Sequence, residues 1–154
     1  MIEVERVRTP EQWKVLHELI QEYAAALGFS LEFQHLEDEL SRLPEVYGHR
    51  AGAAFLASDN EGYCGCVAFK ELETGVCEMK RLYVKESCRG QHAGRLLAET
   101  VMVEARTAGF RVMRLDTLQS LRAAVRLYKT LGFYDIPPYN DNPRADVRHL
   151  ERML

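Results

Sequence analysis

Residues 78–95, EMKRLYVKESCRGQHAGR, constrain this chain more than any other stretch. Leu82, Tyr83 and Val84 read as the end of a strand, residues 89–94 as a loop, and a long helical pattern opens at Arg95. A strand that turns through such a loop into a helix leaves the first-turn N–H groups without helical carbonyl partners. It also aims the positive end of the helix dipole at whatever lies in front of it. That arrangement binds phosphate. Glycines at 90 and 94 let the backbone approach an anion closely, and Arg89 and Arg95 add positive charge at both ends. The loop alone leaves two readings open, a diphosphate cradle or a plain strand–helix connection. It is not a G-x-G-x-x-G loop and lacks a GK[ST] half, so two common nucleotide patterns are excluded.

The strand feeding this loop breaks its own alternation. Cys77 and Met79 are apolar on one parity, Leu82 and Val84 on the other. Side chains of a regular strand alternate strictly, so one face cannot bury both pairs. One extra residue near 80–81 resolves the conflict and predicts a β-bulge there. The alternative is a strand buried on both faces, which accepts apolar residues of either parity.

The flanking segments supply a mixed α/β pattern. Residues 2–8 alternate as a half-buried strand. Thr9, Pro10 and Gln12 give a helix N-cap, a first-position proline and the capping-box glutamine. Trp13, Leu16, Ile20, Tyr23, Ala24 and Leu27 form one helical stripe ending at Gly28. Phe33, Leu36, Leu40 and Leu43 form a second stripe, stopped by Pro44, with Glu32, Glu37, Asp38 and Glu39 on the outer face. Residues 53–57 and 63–72 read as a hairpin leading into the central strand, hence an antiparallel meander. After the loop come a mostly buried helix (Leu96, Leu97, Val101, Met102, Val103, Ala105) ended by Gly109, and a strand at 110–117. A helix between two strands makes that pair parallel. Ser120 is set to cap a last helix at 121–131, with Arg122, Arg126 and Lys129 on one face. A Pro-rich loop at 137–143 and a strand near 147–153 close the chain.

With 154 residues, one domain over 1–154 is the natural count. The net charge of −3, with both signs interspersed, argues against a nucleic-acid partner. No apolar stretch is long enough to span a membrane, and residues 1–12 lack a signal peptide's apolar core, which points to the cytoplasm. Cys64, Cys66, Cys77 and Cys88 lack the paired spacing of a zinc site, so reduced thiols and no metal are expected.

Two segments carry a resemblance. Arg89-Gly90-Gln91-His92-Ala93-Gly94 is similar to the [RQ]-x-x-G-x-[GA] acyl-CoA loop of the GCN5-related N-acetyltransferases (GNAT), with His92 where glycine is usual. Leu127-Tyr128-Lys129-Thr130-Leu131-Gly132-Phe133 resembles the LYxxLGF signature of the same family, in the expected order after the loop. The family often has asparagine seven residues before that tyrosine; this chain has Leu121. The resemblance implies a mixed, mostly antiparallel sheet with helices on both faces, splayed between the central strand and the next, parallel one, with pantetheine in the opening. It implies acetyl-CoA as co-substrate, held by Leu82, Tyr83, Val84, Arg89, Gly90, Gln91, His92, Ala93, Gly94 and Arg95. It further implies direct attack by an amine on the thioester, with N–H groups around 82–84 polarising the carbonyl and Tyr128 protonating the leaving thiolate.

Glu78 stands where some members of the family place a general base; the plainer reading is a carboxylate paired with Lys80 or an arginine. Asp116 is a second carboxylate, read as a salt-bridge partner. The expected acceptor is a small-molecule or amino-acid-like primary amine. A protein or peptide amine, and a non-catalytic acyl-CoA-binding module, are the alternatives, and a homodimer is left open.

Overall fold

The computed structural model describes residues 1–27, 33–48, 51–142 and 144–154. Seven strands form one sheet: β1 (Glu3–Arg6), β2 (Gly52–Asp59), β3 (Gly62–Glu73), β4 (Val76–Val84), β5 (Val112–Leu118), β6 (Tyr134–Asp135) and β7 (Val147–Met153). Their order is β1-β2-β3-β4-β5-β7-β6. β4 and β5 are the one parallel pair among these strands; the other neighbours are antiparallel. The meander and the parallel crossover both follow the sequence pattern. No helix among the described residues is long and apolar enough to cross a membrane.

The helices cover both faces. α1 (Pro10–Leu27), α2 (Phe33–Ser41) and α3 (Leu43–Tyr47) pack Leu16, Leu19, Ile20, Leu36, Leu43 and Tyr47 against Ala54, Leu56, Cys66 and Ala68. α4 (Ala93–Thr107) and α5 (Arg122–Thr130) pack Leu97, Ala98, Val101, Ala105 and Tyr128 against Phe55, Ala57, Val67 and Phe69. β2 and β3 are therefore buried on both sides, which is why they read as apolar runs rather than as an alternation. At Gly65 a Cβ would meet the Tyr83 carbonyl oxygen at 3.0 Å and Leu97 Cδ1 at 3.2 Å, so glycine lets α4 settle onto the sheet there.

Several local expectations hold and several do not. The capping box of α1 forms: Gln12 N–H donates to Thr9 Oγ1 (3.1 Å) and Thr9 N–H to Gln12 Oε1 (3.0 Å). Gly28 and Glu32 lie outside the described residues. Pro44 does not stop the second stripe; it stands in the first turn of α3, where a missing N–H costs nothing. Ser120 does not cap α5. Leu121 N–H donates to the Leu118 carbonyl, and the helix starts one residue later from Leu121. Leu96 and Val103, read as buried, are 37% and 62% exposed. α4 begins at Ala93, two residues earlier than the periodicity indicates.

The break in alternation is a bulge. Cys66 faces Tyr83 and Ala68 faces Lys80, so β4 uses one more residue than β3 across the step. Arg81 takes up the extra length at φ 62°, in the left-handed region. Cys77, Met79, Leu82 and Val84 all reach the core beneath α4 and α5, while Tyr83 joins the opposite one.

His92, the N-terminal cap of α4, is also left-handed, at φ 62° and ψ 21°, and its side chain makes no capping hydrogen bond. A non-glycine residue there costs about 1 kcal/mol, partly offset on substitution by glycine's greater freedom in the unfolded chain. His92→Gly should therefore raise the melting temperature by roughly 2 °C, read by scanning calorimetry. A lower value would mean that the imidazole makes a compensating contact.

Candidate active site

The parallel ladder between β4 and β5 ends early. It pairs Val76, Cys77 and Glu78 with Val112, Met113 and Arg114, after which both strands continue without pairing to each other. A cleft of about 930 Å³ opens in the wedge, bordered by residues 79–84 of β4 and 115–118 of β5. Unpaired backbone groups in such a place need water or a ligand as partner. Of the ten residues that the sequence assigns to the donor site, nine border this cleft; Gln91 does not, and its amide turns toward Cys88 Sγ at 4.0 Å.

One wall of the cleft is the loop and the first turn of α4. Gly90 at φ 84° and left-handed His92 turn the chain sharply into the helix. The first helical bond runs from Leu96 N–H to the His92 carbonyl, so the N–H groups of Gln91, His92, Ala93, Gly94 and Arg95 make no backbone hydrogen bond among the described residues. Five free donors at the positive end of a fifteen-residue helix form an anion cradle. Arg89 is fixed beside it by Nε donating to the Val84 carbonyl (3.1 Å). Of the basic face on α5, Arg122 also borders the cleft, whereas Lys129 pairs with Asp135. Leu121 is apolar lining where the family often has asparagine.

Tyr128 comes from α5 on the same side of the sheet. It is 6% exposed, borders the cleft and packs edge-on against Phe133 at 5.8 Å. Its hydroxyl makes no hydrogen bond with the described residues, and burial first, then the neighbouring Tyr23 and Asp116, raises its pKa far above a tyrosine's ordinary value. The hydroxyl thus stays protonated and available as a donor.

The carboxylates lie across the wedge, on the side of α1 and α2. Glu78, at the last rung of the β4–β5 ladder, is buried at 4% exposure, accepts from the Tyr139 hydroxyl (2.7 Å) and sits 3.9 Å from Lys80 Nζ. Asp116, read as a salt-bridge partner, makes no ion pair among the described residues. It takes the side-chain amides of Asn140 (2.9 Å) and Asn142 (3.4 Å), and Asn140 in turn contacts His149 Nε2 at 2.9 Å. Tyr139 stacks edge-on against His149 and lies under the Arg114 guanidinium, 5.7 Å from the ring centroid. Sequence reasoning saw 137–143 as a rigid loop and missed these three polar residues. The available signal was a Tyr and two Asn between prolines, in a segment free to reach the carboxylates.

Glu39 also departs from the pattern. It is buried rather than solvated, and both its oxygens accept from Arg81, each at 2.9 Å. Elsewhere all four cysteines are free and buried, and Cys64 and Cys88 converge with Asp59, toward which Cys88 Sγ points at 3.6 Å.

The sequence model of the Acetyltransferase (GNAT) family matches residues 13–133. The chain belongs to this family. An uncharacterized N-acetyltransferase of Schizosaccharomyces pombe is 38% identical over 151 residues, which covers 97% of this chain and 93% of the relative. Among solved structures, a GNAT-family acetyltransferase from Staphylococcus aureus superposes with a TM-score of 0.82 at 19% identity, over 99% of each chain. The Salmonella typhimurium acetyltransferase yncA, solved with its cofactor acetyl-CoA, superposes with a TM-score of 0.72 at 16% identity, over 99% of this chain and 93% of that one. The protein is an acetyltransferase, with the splayed mixed sheet of its family.

The Glu39 carboxyl has a measurable signature. Burial opposes its ionisation, but the hydrogen bonds and charge of Arg81 outweigh burial and hold its pKa below the ordinary 4.5. A depressed carboxylate contributes stability above its unfolded pKa and loses it as pH falls through the folded one. The melting-temperature gap between wild type and Glu39→Gln should therefore narrow as pH drops from about 5 to 3. A gap independent of pH would show that the charge of Glu39 contributes nothing to stability.

Proposed function

We propose that this acetyltransferase moves the acetyl group of acetyl-CoA onto the primary amine of a small, amino-acid-like molecule, by direct attack and in the cytoplasm. The observation that carries this reading is the through-sheet wedge. The free N–H cradle and Tyr128 stand on one side of it and Asp116 on the other, and one cleft joins them, with Glu78 buried just behind its border at Met79. The diphosphate of acetyl-CoA rests on the N–H groups of residues 91–95 with Arg89 and Arg95 alongside. The pantetheine arm runs along Leu82, Tyr83 and Val84 in place of the missing β5 strand partner.

Chemistry at the end of that arm needs a neutral amine, a polarised carbonyl and a proton for the thiolate. The amine nitrogen attacks the thioester carbon, and the C–S bond breaks as the C–N bond is made. The N–H groups of β4 beyond the bulge stabilise the charge on oxygen. Tyr128 gives its proton to the leaving sulfur, and the proton lost by the amine passes through water to Glu78. Buried cysteines take no part, since no covalent enzyme intermediate is required. His35 and Arg144 border the same cleft and supply N–H donors suited to an acceptor carboxylate, Arg144 being held in place by Asp146. The size of the cleft and the Pro-rich loop over Glu78 and Asp116 favour a small acceptor over a folded protein chain.

Thiol release from acetyl-CoA, followed against a panel of free amines and amino acids and a matched panel of peptides, tests the reading. Release with the small amines is expected. Release with peptides alone would transfer the activity to a protein or peptide acceptor, and tight acetyl-CoA binding without any release would leave only a binding module.

Replacing Tyr128 by Phe keeps the ring and its packing and deletes the hydroxyl. Turnover should fall about 10²-fold with little change in KM for acetyl-CoA, because the lost bond exists mainly in the transition state. Wild-type turnover in that variant would leave Tyr128 a packing residue. For Glu78→Gln the rate loss should be largest near neutral pH and shrink at high pH, where the free amine is abundant without a base. A loss uniform across pH would instead assign Glu78 to holding the acceptor's cation.

A further inference from the structure

Three costly features meet where α2 crosses the bulge of β4. Arg81 is a non-glycine residue at φ 62°. Its guanidinium forks onto both oxygens of Glu39, Nε to Oε2 and Nη2 to Oε1, with the two side chains only 8% and 10% exposed. Beside the pair the Tyr47 hydroxyl is buried, without a well-formed hydrogen bond to the described residues but close enough to Glu39 and Arg81 for both to act on its pKa, which burial first and then the Glu39 charge raise. Left-handed backbone persists only where its surroundings over-determine it. A buried ion pair repays its desolvation only through close geometry, and an apolar substitute is often no less stable. If α2 merely had to lie on the sheet, Leu36 and Leu40 already provide the apolar contact for it.

The position of the pair says what it does. The bulge directs the Arg81 side chain to Glu39 on α2, while Leu82 and Val84 reach the core under α4 and α5. A strand relieved of its extra residue would shift register by one and send every side chain beyond it to the other face. Two grips therefore hold β4 in its irregular path: Leu82 and Val84 from one side, Glu39 from the other. The segment so gripped is the one whose β5-side backbone groups open into the cleft.

We propose that the Glu39–Arg81 pair is a latch that fixes the bulge, and through it the direction in which the N–H groups of residues 82–84 meet the thioester carbonyl. Glu39 and Arg81 are then positioning residues, acting through the backbone of β4. The latch also joins the donor site to α2, whose His35 borders the cleft, so that displacement of α2 reaches the carbonyl-polarising groups through one bidentate contact. This inference rests on the proposed function, in which β4 polarises the thioester.

Infrared spectroscopy of carbonyl-labelled acetyl-CoA bound to the protein reads that polarisation without any acceptor. In wild type the carbonyl band should lie below that of free acetyl-CoA. In Glu39→Gln it should return toward the free position, while acetyl-CoA affinity, set mainly at the loop, is kept. Amide hydrogen exchange at residues 82–84 should quicken in the same variant, and turnover should fall about 10²-fold, as small misplacements do. A purely structural pair would lower the melting temperature and leave the band unmoved, and that result overturns the latch. A wild-type band already at the free position would overturn the donor-site reading and the latch with it.

Glu39→Gln leaves a buried guanidinium without its carboxylate and can fold poorly, so a double variant complements it. Glu39→Gln with Arg81→Gly removes both charges and gives the left-handed position to glycine. It should regain thermal stability over the single variant, yet keep the carbonyl band near its free position. A wild-type band in the double variant overturns the proposal.

Discussion

One extra residue in β4 is the constraint on which the rest depends. A strand that absorbs a bulge against one neighbour bends away from the other, and here the other neighbour is β5. The parallel ladder stops at Glu78 and Arg114, and backbone groups of two central strands are left facing each other across open space. Interior strands of a sheet do not ordinarily leave such groups unmet, because an unmade buried hydrogen bond is expensive. The wedge stays open because each of its sides is fixed from elsewhere: β4 by β3 and by Arg81–Glu39, β5 by its full antiparallel register with β7. An elongated ligand bearing amide groups can complete the ladder that the protein omits.

The same geometry organises the charges. The free N–H groups of the loop and the carboxylates come from opposite faces of the sheet, and of the two carboxylates only Asp116 borders the cleft that the loop also borders. The carboxylates are not left bare in the absence of ligand. Tyr139 and Lys80 serve Glu78, and two asparagine amides serve Asp116. Neutral amide donors satisfy a carboxylate without fixing a counter-charge beside it. The Tyr139 contact is stronger and more buried, so Glu78 is the more firmly held of the two.

What the sequence disclosed was local, and what it concealed was long-range. The capping box at Thr9 and Gln12, the loop that opens at Arg89 and the parity conflict around Arg81 are each decided within a few residues, and each is found where the pattern puts it, except that Ala93 and Gly94 already belong to α4. Misreadings at Pro44 and Ser120 come from features with two local meanings. A proline both ends helices and begins them, and a serine caps only when the chain leaves it at the right φ and ψ. Glu39 was unreadable for another reason. Its partner is 42 residues away and lies on the bulge, so nothing in the acidic run EDE distinguishes the buried glutamate from its solvated neighbours. Tyr139 reaches Glu78 across 61 residues by the same kind of contact. Periodicity reports which face a residue is on, and not which charge waits there.

That division between local and long-range bears on how the family's chemistry varies. The loop with its free N–H groups and the bulged strand are built from contiguous residues. The opposite side of the wedge is assembled from α2, the end of β5 and the loop carrying Tyr139, Asn140 and Asn142, brought together only by the fold. Chains such as the Staphylococcus aureus structure keep the architecture over 99% of this chain's length at 19% identity. Substitutions in α2 or in that loop alter this side of the cleft without touching the residues that present the free N–H groups of α4. Glu39 differs from its neighbours on α2, because its carboxylate is bonded to Arg81 on β4. A substitution there removes a contact that reaches the bulged strand, whereas one at the exposed His35 changes only the border of the cleft.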